Sequence, residues 1–550
     1  MQKNYTRLAG KIVLLLCVTT LSVTIGKAQS VYLPQSYQLY QKFNADIYSK
    51  GSRMHTALRP FLIDSTLNER YGQLLDRGVD TTRKNWFSRK LFNEHLIDVK
   101  TKEYTFYGDI LLESTFGKDF NDESTDPINF KPVGFGPNSR IGLNTRGFQF
   151  GGTVGTKFSF YTSGYENQAS FPDYYTDYVK LTGFVPGQAY DRAPSKSYRD
   201  YSYATAILSY TPIKQLNITL GLDKTFIGDG YRSILLSDYS APMPLLRLTA
   251  NVGNIQYMMM WTYMQDINVP QFDSFGGNRR KWGLFHYLDW NVSKSLSFGF
   301  FNAYIVPEAD DQGNRRGFDV NFINPVIFAS GLGPSSQPGN ALVGFTGKYK
   351  IFDKTALYGQ LLIDRFKARS FFKNNTTDNT NGVQLGIRGA DIFGVKDLNY
   401  LVEYNAVKPY TGFSNQVISS YSYYSQPLGD PFGANFREVT GIMNYSIGRF
   451  DIQGQLLYAK YGTDGLNENN GRDIMKPFPA TPANTTIGQG IASNLYYAEG
   501  TVSFLINPKY NMRLELGGIY RQEKSDLANK KAAVITFGLR SSFRNLYHDF

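Results

Sequence analysis

The sequence predicts an all-β protein: a large transmembrane β-barrel of about 18 antiparallel strands, preceded by a short helical segment. Three observations lead there. From Tyr104 onward, as in TFYGDILLEST and RGFQFGGTVGTKFSFYTSG, the chain falls into glycine-broken segments with large residues at alternate positions. Each is about ten residues long, the length a tilted strand needs to cross the hydrocarbon layer. The connections alternate in size, with short ones at Thr211–Gln215, Ser293–Lys294, Ile447–Arg449 and Asn507–Tyr510. Long ones fall at Ser163–Lys196, Asp266–Arg280, Tyr410–Phe436 and Gly462–Ile491. Such alternation fits short periplasmic turns and longer outward loops. Finally, the chain holds 40 Tyr, 40 Phe and 52 Gly with only 19% charged residues, a balance that suits lipid-facing strands with aromatic girdles.

The first 28 residues read as a secretory signal peptide. Lys3, Arg7 and Lys11 form a positive head, Ile12 to Ile25 an apolar centre, and Gly26-Lys27-Ala28 a small-residue exit. Lipidation at Cys17 is disfavoured, because the large Leu16 precedes it and apolar residues follow. Cleavage after Ala28 removes the only cysteine, which excludes disulfides, a thiol nucleophile and cysteine-based metal sites from the mature chain. No later apolar run is long and uncharged enough for a transmembrane helix. Formal net charge is +12, and Lys3, Arg7, Lys11 and Lys27 belong to the leader. The remainder is mildly basic and carries no basic block interleaved with aromatics, so no nucleic-acid partner is expected.

Residues 29–103 follow a different period. Leu58, Leu62, Leu67, Tyr71 and Leu75 recur at near-helical spacing, and Trp86 to Val99 repeats the pattern through Phe87, Leu91 and His95, with Phe92 and Leu96 alongside. Two short amphipathic helices are expected, the first starting near Pro60, at the periplasmic mouth of the barrel. The barrel itself spans residues 104–550. Strands are expected near Tyr201–Tyr210, Leu216–Leu222, Ile255–Met264, Leu284–Asn291, Ser295–Ile305 and Leu342–Tyr349. Others fall near Thr355–Asp364, Gly382–Gly389, Leu398–Ala406, Glu438–Ser446, Phe450–Tyr461, Asn494–Ile506, Met512–Gln522 and Ala532–Leu539. Eighteen strands give ~25 residues per strand and connection, and sixteen fit almost as well. The chain stops at NLYHDF, and Phe550 matches the terminal aromatic with which such barrels commonly finish their closing strand.

The organising stretch is Leu216 to Leu248, LNITLGLDKTFIGDGYRSILLSDYSAPMPLLRL. Leu216, Ile218, Leu220 and Leu222 alternate as a strand with unlike faces requires. A Gly228-Asp229-Gly230 bend, an apolar run Ile234–Leu236 and Pro242 and Pro244 then break the ladder before Leu245–Leu248 resume. An excursion this apolar is expected to fold into the lumen as a plug, near 228–247. Asp229, Arg232, Asp238 and Arg247 should be paired there, because an unpaired buried charge is costly.

This stretch resembles the central signature of the capsule-assembly outer-membrane β-barrel (Wzi-like) family. The matching residues are Gly228, Gly230, Leu235, Leu236, Ser237, Asp238, Ala241, Pro242, Pro244 and Arg247; further landmarks are KWGLFHYLD from Lys281 to Asp289, Asn324-Pro325, and YGQLLID from Tyr358 to Asp364. Where the family commonly has a Trp-Gly-Pro-Gly bend, this chain has Phe226-Ile227-Gly228-Asp229-Gly230. Length and tyrosine-rich loops resemble the gliding-motility (RemB-like) branch of the Bacteroidota, linked to the type IX secretion system. The resemblance implies an integral outer-membrane barrel of a Gram-negative bacterium, with 18 strands, a helical portion at its periplasmic mouth and no catalytic activity.

Catalysis finds no support in the residues either. His55, His95, His286 and His548 lack metal-ligand spacing, and no Gly-x-Ser-x-Gly elbow or phosphate-cradling loop stands in a plausible context. His286 and Asp289, three apart on a strand, point to opposite faces and cannot share one site. No metal and no cofactor is expected. The function expected is a non-enzymatic accessory or docking component of the gliding and type IX secretion machinery; the alternative is surface polysaccharide (capsule) binding or assembly, and a pore is third. Expected partners are outer-membrane lipid and lipopolysaccharide, other secretion or gliding proteins, and surface polysaccharide. Candidate contact residues are Tyr174, Tyr175, Tyr178, Lys281, His286, Asp289, Tyr421, Tyr423 and Tyr424.

Overall fold

The computed structural model describes residues 32–63, 65–121, 140–266, 278–310, 314–327, 339–367, 369, 378–465, 468–480, 482 and 486–550; the expected leader lies outside them. Among the described residues, no helix is long and apolar enough to cross a membrane. Eighteen antiparallel strands close into a barrel. They are β1 (Tyr104–Asp119), β2 (Arg140–Val154), β3 (Phe158–Ser170), β4 (Arg199–Ile213), β5 (Leu216–Asp223) and β6 (Met243–Val252). Next come β7 (Ile255–Asp266), β8 (Arg279–Asn291), β9 (Leu296–Pro307), β10 (Asn340–Phe352), β11 (Thr355–Arg365) and β12 (Thr380–Ala390). The wall ends with β13 (Leu398–Val407), β14 (Phe436–Ile447), β15 (Phe450–Thr463), β16 (Ile491–Asn507), β17 (Met512–Ser525) and β18 (Asn529–Ser541). Each strand pairs with its sequence neighbour, and β18 closes on β1 from Val534–Asp119 to Leu539–Ser114. Closure pairs every wall strand on both sides, the condition for crossing a bilayer with strands.

Alternation sorts the wall. Ile110, Leu112, Phe116, Leu208 and Leu220 are exposed on the outer face, while Asn217, Thr219, Gln149, Gln384 and Glu403 are buried toward the lumen. A polar interior beneath an apolar band is the expected division for a barrel in lipid. One expected loop is shorter than its sequence suggested, because β3 runs on through Tyr165 and Asn167 to Ser170, beyond the expected strand end at Ser163. Its inward residues pair with β4, as in Tyr165–Tyr203, so the ladder extends through a polar stretch that reads like a loop.

The N-terminal segment departs from the expectation. Helical turns over 37–47 come first, with Tyr40, Phe43, Ile47 and Tyr48 buried in the lumen. Leu58–Arg59 is not the start of a helix but a two-residue strand paired antiparallel with Phe226–Ile227 of the excursion. Helix α1 (Ser65–Leu75) begins later, and α2 (Trp86–Phe92) is followed by Ile97–Lys100, which pairs as a strand with β1. Apolar spacing alone missed Leu58–Arg59 because its partner lies far away in sequence, and Ile97–Lys100 because a four-residue strand in a local hairpin is too short to show a period.

Helices α1 and α2 (Trp86–Phe92) sit at the end with the short turns. Arg77 donates to Gly448 O at 2.6 Å and to Phe450 O at 2.8 Å, and Asn507 Nδ2 donates to Lys90 O and Glu94 O at 3.0 Å each. Short turns mark the periplasmic end, so the helices cover that mouth.

Candidate functional site

The lumen is filled by the protein's own chain: residues 32–63, the excursion between β5 and β6, the outer connection 408–435, and the tail 542–550. The excursion occupies Lys224–Pro242, slightly earlier than expected, because Met243 and Pro244 already belong to β6 opposite Asp223 and Leu222. Pro244 faces outward near the strand start, so the wall accommodates it. Arg247 is accordingly a wall residue, buried and donating to Thr225 Oγ1 at 3.0 Å.

Several backbone groups of the excursion meet side chains at alternate, inward positions of the wall strands. Gln360 of β11 donates to Ile227 O at 2.9 Å and accepts from Ile234 N at 3.0 Å. Glu403 of β13 accepts from Tyr231 N at 3.1 Å and Arg232 N at 3.0 Å, and Gln384 and Arg388 of β12 donate to Arg232 O and Asp229 O. The glycines are required at this contact: Gly228 has φ 139°, and a Cβ at Gly228 or Gly230 would run into Gln360 or Glu403 respectively. Between these hooks Ile234, Leu235 and Leu236 pack in the central core with Phe285, Tyr287 and Phe301.

The charges are paired. Arg232 lies 2.9 Å from Asp549 and 3.6 Å from Glu438, all buried. Asp229 accepts from Tyr48 at 2.9 Å and from Thr56, with Lys348 at 3.9 Å. Burial alone would raise its carboxyl, but Lys348 and these hydrogen bonds outweigh it and hold it below the usual carboxylate range. Asp238 accepts from Tyr547 at 2.5 Å and Asn545 at 2.8 Å. Lys224 donates to Gly187 O and Asp238 O at 2.6 and 2.7 Å, and burial lowers its ammonium to about 8.

Residues 542–550 corrected another expectation. The closing strand ends at Ser541, and the chain turns back into the lumen, so Phe550 does not finish the wall. Its ring packs on Tyr178 at 4.6 Å and Tyr175 at 5.2 Å, while Arg544 lies 2.6 Å from Glu113.

The proposed ligand-contact residues mostly serve this packing. Tyr175 is buried and Tyr174 and Tyr178 are half-buried around Phe550, on helix α3 (Asp173–Thr182). Tyr421 is buried and donates to Leu235 O at 2.6 Å; Tyr423 is buried and stacks on Tyr424, which stacks on Phe184. These rings face the plug, not an outward trench. Lys281 is buried 2.8 Å from Asp266 and also reaches Ser422; Asp289 meets His55 at 2.7 Å in the lower lumen. His286 faces the outer side of the wall, where Tyr257 lies 3.0 Å from its Nδ1. It sits under residues 317–327, a strap lying on the outer face of β7–β9, since Tyr257 also donates to Pro325 O at 2.6 Å and Trp261 to Phe322 O at 2.8 Å. His286 and Asp289 therefore do occupy opposite faces.

Sequence reasoning missed the hooks Gln360, Gln384, Arg388 and Glu403. Their signal was present: polar residues at inward positions of otherwise apolar strands, one of them, Gln360, inside the YGQLLID landmark, whose Tyr358 donates to Glu403 at 2.7 Å. Among the described residues, no group of three or more His, Cys, Asp or Glu is arranged to hold a metal ion.

The opposite side of the lumen is less completely filled. Between the tail, the 32–63 run and the wall of β15–β18 and β1–β2 lies a cavity of about 150 Å³. Tyr37, Tyr231 and Phe171 line it together with Gln453, Gln455 and Arg540.

Fold and lumen together define an integral outer-membrane β-barrel. No family model and no curated protein matches the chain. Among solved structures it is similar to Wzi of Escherichia coli, described as an outer-membrane protein involved in group 1 capsule assembly and a carbohydrate-binding β-barrel: TM-score 0.54 and 15% identity over 93% of this chain and 100% of that one. Pseudomonas aeruginosa OprD gives TM-score 0.40 and 8% identity over 78% and 94% of the two chains. A BenF-like porin of Pseudomonas fluorescens Pf-5 gives 0.41 and 10% over 79% and 97%. The chain thus has a Wzi-like barrel fold, located in the outer membrane.

Proposed function

We propose that this barrel is a non-enzymatic carbohydrate-binding protein of the outer membrane, acting in the assembly or retention of surface polysaccharide. The observation that carries the reading is the lumen clasped shut by its own chain within a fold similar, over nearly its whole length, to a carbohydrate-binding capsule-assembly barrel. A barrel filled in this way is suited to hold material and poorly suited to pass it. At the outer end, Tyr190 and Tyr198 remain 51% and 37% exposed on the connection that Arg192 ties to Glu166 and Asp200. Rings beside charged donors and acceptors are the groups that saccharides use. The test is retention of purified protein on immobilised polysaccharide from the same cell surface; passage straight through, with the barrel folded, would contradict the reading.

A second reading, docking to gliding or type IX secretion components, is favoured by one feature. Trp86 and Phe87 of α2 stand 60% and 66% exposed at the periplasmic mouth, and aromatic anchors are typical centres of protein contacts. Mild-detergent purification of the tagged protein followed by mass spectrometry decides it: stoichiometric recovery of a secretion component supports docking, and recovery alone opposes it.

A further inference from the structure

We propose that the luminal cavity beside β15–β18 is an internal saccharide site, taking a short uncharged sugar segment that enters from the cell surface. The proposal rests on the carbohydrate reading above and deepens it.

Three features of the cavity argue together. The first is its making. Where the opposite wall presents hooks to the plug, this wall presents small or short inward residues, Thr501, Gly517 and Thr536, which leave room for about ten waters at ~15 Å³ of probe-occupied space each. That is the scale of a sugar ring and its hydroxyls rather than of a folded segment.

Charge is the second. Glu515 stands between Arg513 at 3.0 Å and Arg540 at 3.2 Å, and Glu499 also lines the cavity, so two guanidiniums face two carboxyl groups. A charged solute would meet both signs, whereas a neutral polyhydroxyl solute finds carboxylate and amide acceptors beside guanidinium donors. Gln453 and Gln455 add amides, Gln455 being oriented by its 2.6 Å bond to Asp549.

The third is the presence of rings. Tyr37 and Tyr231 meet edge to face at 4.9 Å and line the cavity with Phe171. Apolar ring faces suit the C–H faces of a sugar, and the mixture of rings with a few convergent polar groups is what small-ligand sites use. The cavity reaches toward the outer end of the barrel, where Ile141, Leu143 and Ser170 lie near the outer ends of β2 and β3.

The experiment uses the full barrel in detergent and, as probe, short oligosaccharides released from the same cell-surface polysaccharide by mild acid, with binding read by titration calorimetry. Thr501→Trp and, separately, Thr536→Trp would fill the cavity without removing a charged pair; heat-modifiable migration reports that each barrel is folded. The expected result is binding by the native protein and at least a tenfold loss in whichever variants fold, with retention on the long polymer reduced as well. Native binding to both probes with folded, cavity-filled variants indistinguishable from it would overturn the internal site and leave the carbohydrate reading standing. Failure of the native protein to bind either probe would overturn both. Should neither tryptophan variant fold, Arg540→Met, which leaves Glu515 with Arg513, takes their place under the same criteria.

Discussion

The two sides of the lumen are built from the same kind of strand and end differently. Toward β11–β13 the inward residues are Gln360, Gln384, Arg388 and Glu403, each bonded to a backbone or side-chain group of the excursion. At the cavity beside β15–β18, Arg513 and Arg540 pair along their own wall with Glu515, and short side chains stand between them. The first side spends its polarity on the excursion; the second also reaches the luminal chain, Gln453 to Gln41 and Gln455 to Asp549, but leaves space beside its Arg–Glu cluster. Where the polar side chains of a barrel wall find their partners therefore helps set which part of the lumen is filled, with no change in strand geometry.

That contrast can be broken from the filled side. The largest effect is expected for Arg232→Ala, which leaves Asp549 and Glu438 buried without their cation and should cost about 3–5 kcal/mol. The heat-modifiable transition of the purified barrel should move down accordingly. Leu235→Ala should follow at about 2–5 kcal/mol, because Leu235 is fully buried in the central core; the same transition checks it, and a neutral result would mean the core is loosely packed. On the wet side, Gly517→Ala should cost less than either, since its Cβ would meet chiefly the Thr536 hydroxyl, a movable group.

Acid should loosen the tail before the wall. Burial, reinforced by Arg540, pushes the His548 imidazole down to about 4 from 6.5. Its folded value is depressed, so the undocked chain takes up the proton first. The contribution to docking is whole above pH 6.5 and is lost as pH falls toward 4. Hydrogen exchange in residues 542–550, referenced at each pH to the unstructured chain, should rise over that window, and His548→Gln should flatten the rise. The smallest effect belongs outside the lumen: Trp261→Phe removes one bond to Phe322 O and should cost about 1 kcal/mol, read as faster hydrogen exchange in residues 317–327.

Much of this was legible in the chain. Alternation and turn spacing located the strands because a wall with lipid on one side enforces period two on every crossing. The excursion was legible because Gly228, Gly230 and Pro242 interrupt that period while Ile234–Leu236 stay apolar. What the sequence hid were pairings distant along it: Leu58–Arg59 with Phe226–Ile227, Arg232 with Asp549, Asp229 with Tyr48. Tyrosines that looked like outward ligand contacts, Tyr175, Tyr421 and Tyr423, are buried against the luminal chain, since a ring has the same letter whether it meets a sugar or a plug. The inward return of residues 542–550 was masked by an ending, NLYHDF, that reads equally well as a final strand.

The central claim is that the protein's own chain closes the barrel, and single-channel recording in a planar bilayer tests it most directly. Wild-type protein should show no large, steady, porin-like current. A variant in which Lys224–Pro242 is replaced by Asn-Gly, joining Asp223 to Met243 as a two-residue hairpin between β5 and β6, should conduct several-fold more. Large steady currents through the wild-type barrel, unchanged in that variant, would contradict the account.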